Sequence, residues 1–129
     1  MNKCGHIIIP AGIIPEKHEL ETANFFAERG LDVEFLAPSY VKGVYSPDVQ
    51  IDGRRWEIKS PCGNSRRTIE NNYRNAERQS PNVIFDLRRI KLNETISISK
   101  IKREFKFRNS KVKRVMIITQ DKKLLDLHR

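Results

Sequence analysis

Long apolar runs are missing from this chain. The run Ile7-Ile8-Ile9 is stopped by Pro10, and no apolar run approaches the roughly 20 residues that cross a bilayer. The N-terminus also lacks the apolar region and small-residue cleavage site of a secretion signal. Cysteine is scarce: Cys4 and Cys62 are the whole complement, too few for a disulfide framework, and neither has metal-ligand spacing around it. A reduced compartment is therefore expected. Histidine is limited to His6, His18 and His128, which form no recognisable acid–base set, so nothing points to a metal-independent ribonuclease. No repeat, low-complexity tract or linker interrupts the 129 residues, a length that supports one core and hence one domain, 1–129.

Acidic residues are outnumbered. There are 16 Asp and Glu against 25 Lys and Arg, a net charge of +9. Such a surface on a small domain suits a polyanion, with nucleic acid first and an acidic membrane or protein second. The basic residues gather in the last third, from Arg88 and Arg89 through Lys111, Lys113 and Arg114. Arg66, Arg67, Arg74 and Arg78 add an outer face to a helix expected over about 66–79. These arginines are either phosphate contacts or a solvated basic face.

The centre of the chain is Pro47-Asp48-Val49-Gln50-Ile51-Asp52-Gly53-Arg54-Arg55-Trp56-Glu57-Ile58-Lys59. Asp-Gly is a preferred two-residue type I′ turn, because both positions need positive φ. That turn predicts a hairpin pairing Ile51 with Arg54, Gln50 with Arg55, Val49 with Trp56 and Asp48 with Glu57. The last pair would bring two carboxylates within about 4.5–5.5 Å at Cβ, where like charges repel. Lys59 falls on the same face as Glu57 by the two-residue period. A divalent cation removes the repulsion, since Mg²⁺ takes hard oxygen ligands, and a lysine beside it can stabilise charge in a phosphodiester displacement. A surface hairpin with a solvated charged face would carry the same residues, and both readings stand on these residues alone.

Around that hairpin the pattern predicts helices and strands in alternation. A helix over 16–30 carries Glu19, Ala23 and Phe26 on one ridge, with Glu21 about 160° away from it. Glu19 is either an edge residue reaching water or a third carboxylate aimed at the metal. Strands are expected over 31–36, 82–87 and 111–119, with a helix from about Ser97 and a short strand near Leu124–Leu127. Asn64 or Ser65 is the expected cap of the second helix. The result is an α/β domain (α+β, mixed sheet) with helices flanking a central sheet.

The element order, Pro47-Asp48, Glu57-Ile58-Lys59 and the helical Glu19 resemble the PD-(D/E)xK phosphodiesterase superfamily. That resemblance implies a restriction-endonuclease-like core of a helix, three antiparallel strands, a helix and a further strand. A longer set resembles the CdiA C-terminal tRNase domain of contact-dependent growth-inhibition toxins: Lys17-His18-Glu19, Thr22-Ala23, Trp56-Glu57-Ile58-Lys59-Ser60-Pro61, Gly63-Asn64, Gln79-Ser80 and Asp86-Leu87-Arg88-Arg89. It covers about residues 13–118. What it implies is metal-dependent cleavage of tRNA in the bacterial cytosol, with Glu19, Asp48, Glu57 and Lys59 in the active site. Asp48, Glu57 and Glu19 would hold the metal: Mg²⁺, with Mn²⁺ or Zn²⁺ as alternatives. Arg66, Arg67, Arg88 and Arg89 would contact nucleic acid, and a cognate immunity protein would be a partner. Domains of this kind end long delivery proteins, so a chain opening on Met1 is expected to be an excised or orphan module, or a relative with another substrate. A DNA endonuclease of a phage or mobile element is the alternative enzyme, and a non-catalytic basic binding module the alternative without chemistry.

Overall fold

Asp52 and Gly53 take φ values of 53° and 77°, the two positive angles that a type I′ turn requires. In the computed structural model, which describes residues 3–44, 46–107 and 110–129, this turn joins β3 (Val49–Ile51) to β4 (Arg54–Lys59). The register is Ile51 with Arg54, Gln50 with Arg55 and Val49 with Trp56, as the turn dictates. The remaining elements are β1 (Ile7–Ile8), α1 (Lys17–Ala27), β2 (Val33–Phe35), α2 (Thr68–Glu77), β5 (Asn82–Asp86), α3 (Glu94–Phe107), β6 (Arg114–Ile118) and β7 (Leu124–His128). Seven strands form one mixed sheet in chain order. β2, β3 and β4 are antiparallel, β4, β5 and β6 are parallel, and β7 closes antiparallel on β6.

The alternation of side chains sorts two cores onto the two faces. Ala23, Phe25 and Phe26 of α1 cover Val33, Phe35, Val49, Ile51, Trp56 and Ile58 on one side. On the other, Ile69, Tyr73 and Ala76 of α2 and Ile101 and Phe105 of α3 cover Val83, Phe85, Val115 and Ile117. The domain is therefore three layers, helix on sheet on helices. Pairing of Glu57 with Val83 and of Lys59 with Phe85 puts both polar residues on the α2–α3 face, since paired residues of parallel strands share a side.

Two local expectations need correction. The helix expected from about Ser97 begins earlier, at Glu94, and takes in the alternating Thr95-Ile96-Ser97-Ile98. Asn93 decides it, because its Oδ1 accepts a hydrogen bond from the Ile96 N–H at 3.0 Å, the cap that a helix start needs. At α2 the cap position is Arg67, with no side-chain cap. The Ser65 hydroxyl instead accepts from the Arg67 N–H at 3.3 Å, tightening the turn just before the helix.

The buried stripe of α1 also runs wider than the sequence periodicity suggests, taking in Thr22 and Phe25. Thr22 is drawn in by a distant partner. Its hydroxyl donates to Asp86 Oδ2 at 2.6 Å, and Arg88 binds the same carboxylate through Nε and Nη2 at 2.9 and 2.7 Å. Arg88 Nη2 also reaches the Glu21 carbonyl at 2.9 Å. Asp86 is buried, and although burial opposes its ionisation, the Arg88 and Thr22 hydrogen bonds hold its carboxyl below the ordinary range. This clamp fastens α1 to the end of β5. Arg88→Ala would leave Asp86 buried with one fewer charge partner. It should lower unfolding stability by about 2–4 kcal/mol, as measured by denaturant titration.

Candidate active site

Strand direction brings the polar residues of the hairpin to one edge. β2, β4, β5 and β6 run the same way and β3 the opposite way. The start of β3, with Asp48, therefore lies at the same edge as the ends of β4 and β5, with Lys59 and Asp86. The segments holding Arg66, Arg67, Arg88 and Arg89 leave the sheet from this edge too. Ligand sites of open α/β sheets form outside the carboxyl ends of parallel strands.

At this edge the hairpin ladder stops one pair early. Regular pairing would set Asp48 opposite Glu57. Instead the Asp48 N–H donates to the Trp56 carbonyl at 2.9 Å, although Trp56 is already paired with Val49. Two residues of one strand thus meet one of the other, a β-bulge, which re-aims a side chain. Pro47 is the local cause, since it has no N–H to continue the ladder. The Asp48 carboxylate takes over, and its Oδ2 accepts from the Ile58 N–H at 2.8 Å.

Glu57 is the unusual group. Its side chain is only 8% exposed, and the Lys59 Nζ lies 3.2 Å from its Oε2. Its other oxygen, Oε1, is buried without a hydrogen-bond partner among the described residues. Burial first, and then the charge of Asp48, push its carboxyl up to about 8 against the pull of Lys59. A buried, unsatisfied carboxylate oxygen beside a second carboxylate is an arrangement that a hard cation would complete. Asp48 and Glu57 fit a divalent metal on these grounds.

Glu19 stands apart from that pair. Its Oε1 accepts from the Glu16 N–H at 2.9 Å, which ties it into the first turn of its own helix. Burial raises its carboxyl above the ordinary value, against that hydrogen bond and with Asp48 adding to the rise. Glu19 and Asp48 line one cleft of about 160 Å³ on the α1 side, whereas Glu57 and Lys59 face α2 and α3. Among the described residues no group of three His, Cys, Asp or Glu side chains gathers closely enough to hold a metal. The structure thus brings Asp48, Glu57 and Lys59 together and leaves Glu19 beside them as a helix cap. Glu21 is exposed.

The four arginines divide. Arg66, Arg67 and Arg89 are exposed, while the Arg88 guanidinium is committed to Asp86. Arg89 Nε bonds the Ser60 carbonyl at 2.7 Å, which fixes the chain immediately after Lys59. Sequence reasoning missed the Thr22–Asp86–Arg88 clamp. Its one visible signal was an acid ending an otherwise apolar strand, and the partner in α1 is 64 residues away. The histidines lie apart on the approach to β1, in α1 and in β7.

An α/β/α domain with an acidic pair and a lysine at a basic sheet edge is the class that fold and site define. The family model described as the contact-dependent growth inhibition CdiA C-terminal domain matches residues 45–124, more than half of the chain. The chain belongs to that family. The matched segment holds Asp48, Glu57 and Lys59 but begins after Glu19. Among solved structures, the chain is similar to one from the CdiA-CT/CdiI toxin and immunity complex of Burkholderia pseudomallei, with a TM-score of 0.67 and 16% identity over 97% of this chain and 100% of that one. At that identity the likeness is one of fold. No curated protein matches the chain.

The Glu57 carboxyl carries a pH signature. Its folded value, about 8, lies above the unfolded one, so its stabilising contribution is complete below about pH 4 and is lost as pH rises through about 8. Thermal melts in EDTA should therefore show stability falling between about pH 5 and pH 8, and Glu57→Gln should flatten that fall. An unchanged slope in the variant would contradict the burial-driven shift.

Proposed function

We propose that this domain is a metal-dependent endonuclease acting on tRNA, the toxic activity of a contact-dependent growth-inhibition module. The observation that carries the reading is the juxtaposition of Asp48 with buried Glu57, whose Oε1 has no hydrogen-bond partner among the described residues, beside Lys59 at 3.2 Å. Family membership supports the toxin role. The order α1, antiparallel β2–β3–β4, α2, β5 supports a PD-(D/E)xK core. The choice of RNA over DNA rests on the resemblance of the longer motif set.

Asp48 and Glu57 would hold the divalent cation, Mg²⁺ in the first instance, and Glu19 would join them only by giving up its bond to the Glu16 N–H. When bound, such a cation neutralises phosphate charge and makes water a stronger nucleophile at neutral pH. Lys59 is aimed by Glu57 and places an ammonium at the reacting oxygens, where charge grows in the displacement. The bond from Arg89 to Ser60 holds that lysine's backbone still. Arg66, Arg67 and Arg89 would bind flanking phosphates, a contribution that weakens with salt. The described residues contain no helix long and apolar enough to cross a membrane. The fold neighbour is a toxin in complex with its immunity protein, and we infer a cognate immunity partner here as well.

Total tRNA and plasmid DNA, each incubated with Mg²⁺ or with EDTA, test the reading. Cleavage of tRNA with Mg²⁺ alone is expected, with Asp48→Ala and Lys59→Ala each reducing it by at least about 100-fold while nucleic-acid binding persists. Cleavage that survives EDTA would sink the metal mechanism. Cutting of plasmid with tRNA intact would transfer the site to a DNA endonuclease.

A further inference from the structure

The connection from β4 to α2, residues 60–67, carries two of the arginines and is tied at three points. At its start Arg89 Nε donates to the Ser60 carbonyl at 2.7 Å and to the Ser60 hydroxyl at 3.1 Å. In its middle Gly63 lies so close to α2 that an added Cβ would come within 3.1 Å of the Thr68 hydroxyl oxygen. At its end the Lys100 Nζ, from α3, donates to the Arg66 carbonyl at 2.6 Å. The Arg66 and Arg67 side chains remain exposed.

Lys100 differs from its neighbours on the same helix. Lys102 and Arg103 are exposed, whereas the Lys100 side chain is only 22% exposed and its Nζ lies 3.7 Å from Glu70 Oε2. Glu70, in the first turn of α2, is 15% exposed. Its Oε1 is buried with no hydrogen-bond partner among the described residues. Taking an ammonium and a carboxylate out of water has a desolvation cost that surface pairs do not incur. What this pair secures is one peptide group, because the ammonium bridges the Arg66 carbonyl to the carboxylate four residues on. Fixing that carbonyl fixes the planar peptide between Arg66 and Arg67. The directions in which both side chains leave the backbone are set with it.

We propose that Lys100, held in place by Glu70, is a positioning residue that presents Arg66 and Arg67 as a preset phosphate clamp. This rests on the nuclease reading, which gives those arginines their phosphates. An arginine whose backbone is already set loses less freedom on binding, so preorganisation appears as affinity. The two ends of the connection then have separate tasks. Arg89 steadies the residue after Lys59, at the reacting end, and Lys100 steadies the binding end.

Glu70→Leu separates positioning from plain charge by the sign of its effect. It removes a negative charge, so electrostatics alone would tighten binding to tRNA, whereas loss of the preset clamp weakens it. Binding to tRNA is measured in EDTA for wild type, Glu70→Leu, Lys100→Met and Lys102→Met, the last removing an equal charge from an exposed site on the same helix. Affinity should fall about 10-fold in Glu70→Leu and in Lys100→Met, and by much less in Lys102→Met. In an Arg66→Ala/Arg67→Ala background, Lys100→Met should have almost no further effect, since the side chains it positions are gone. With Mg²⁺ the loss should appear in KM and leave kcat nearly unchanged. Tighter or unchanged binding by Glu70→Leu would overturn the proposal. Equal losses from Lys100→Met and Lys102→Met, or an undiminished loss in the double-arginine background, would overturn it as well. Should Glu70→Leu fail to fold, the Lys100→Met comparisons decide alone. Clamp-dependent binding without cleavage of tRNA would sustain the positioning and remove the nuclease. Wild-type protein that neither binds nor cleaves tRNA would remove the nuclease reading and the proposal with it.

Discussion

Two carboxylates held together at the end of one hairpin are the constraint on which this domain turns. Burial and the neighbouring charge of Asp48 both oppose ionisation of Glu57. Lys59 offsets part of this from one side, and Glu57 Oε1 has no hydrogen-bond partner among the described residues. A fold tolerates such a pair only when other contacts over-determine its place. Here those contacts are explicit: the Asp52–Gly53 turn sets the register, the Ile58 N–H anchors Asp48, and pairing with β5 fixes both Glu57 and Lys59.

Further restraints surround the same edge. The Thr22–Asp86–Arg88 clamp binds α1 to β5, and Arg89 grips Ser60. Two of the four arginines that charge alone assigns to nucleic acid thus also hold the framework, through the guanidinium of Arg88 and the Nε of Arg89. Arg66 and Arg67 remain exposed at the mouth. In the proposed nuclease an acidic centre inside a basic rim would separate chemistry from binding, the rim attracting the polyanion and the pair holding the cation.

The hairpin was legible because its information is local. Two adjacent residues set two dihedral signs, and the register follows for three pairs. The bulge at Asp48 was not legible to the same reasoning, although Pro47 was in view, because ladder extrapolation assumes each next pair forms. The helix after residue 93 was legible but its start was set late, because the short alternating run Thr95–Ile98 fits either period and the cap at Asn93 settles it. The role of Glu19 turned on a bond to its own helix terminus, which competes with any metal for the same carboxylate. Thr22 and Asp86 meet only through the tertiary fold. What periodicity and turn chemistry cannot contain is the competition between nearby partners for one polar group.

The central claim is that Asp48 and Glu57 are joined by a divalent cation. Calorimetric titration of Mn²⁺ into the protein at about pH 8, where Glu57 becomes able to release its proton, tests it without reference to any substrate. The account predicts one saturable site that is lost in Asp48→Asn and again in Glu57→Gln. Binding that survives both substitutions, or no binding to the wild-type domain, would contradict it.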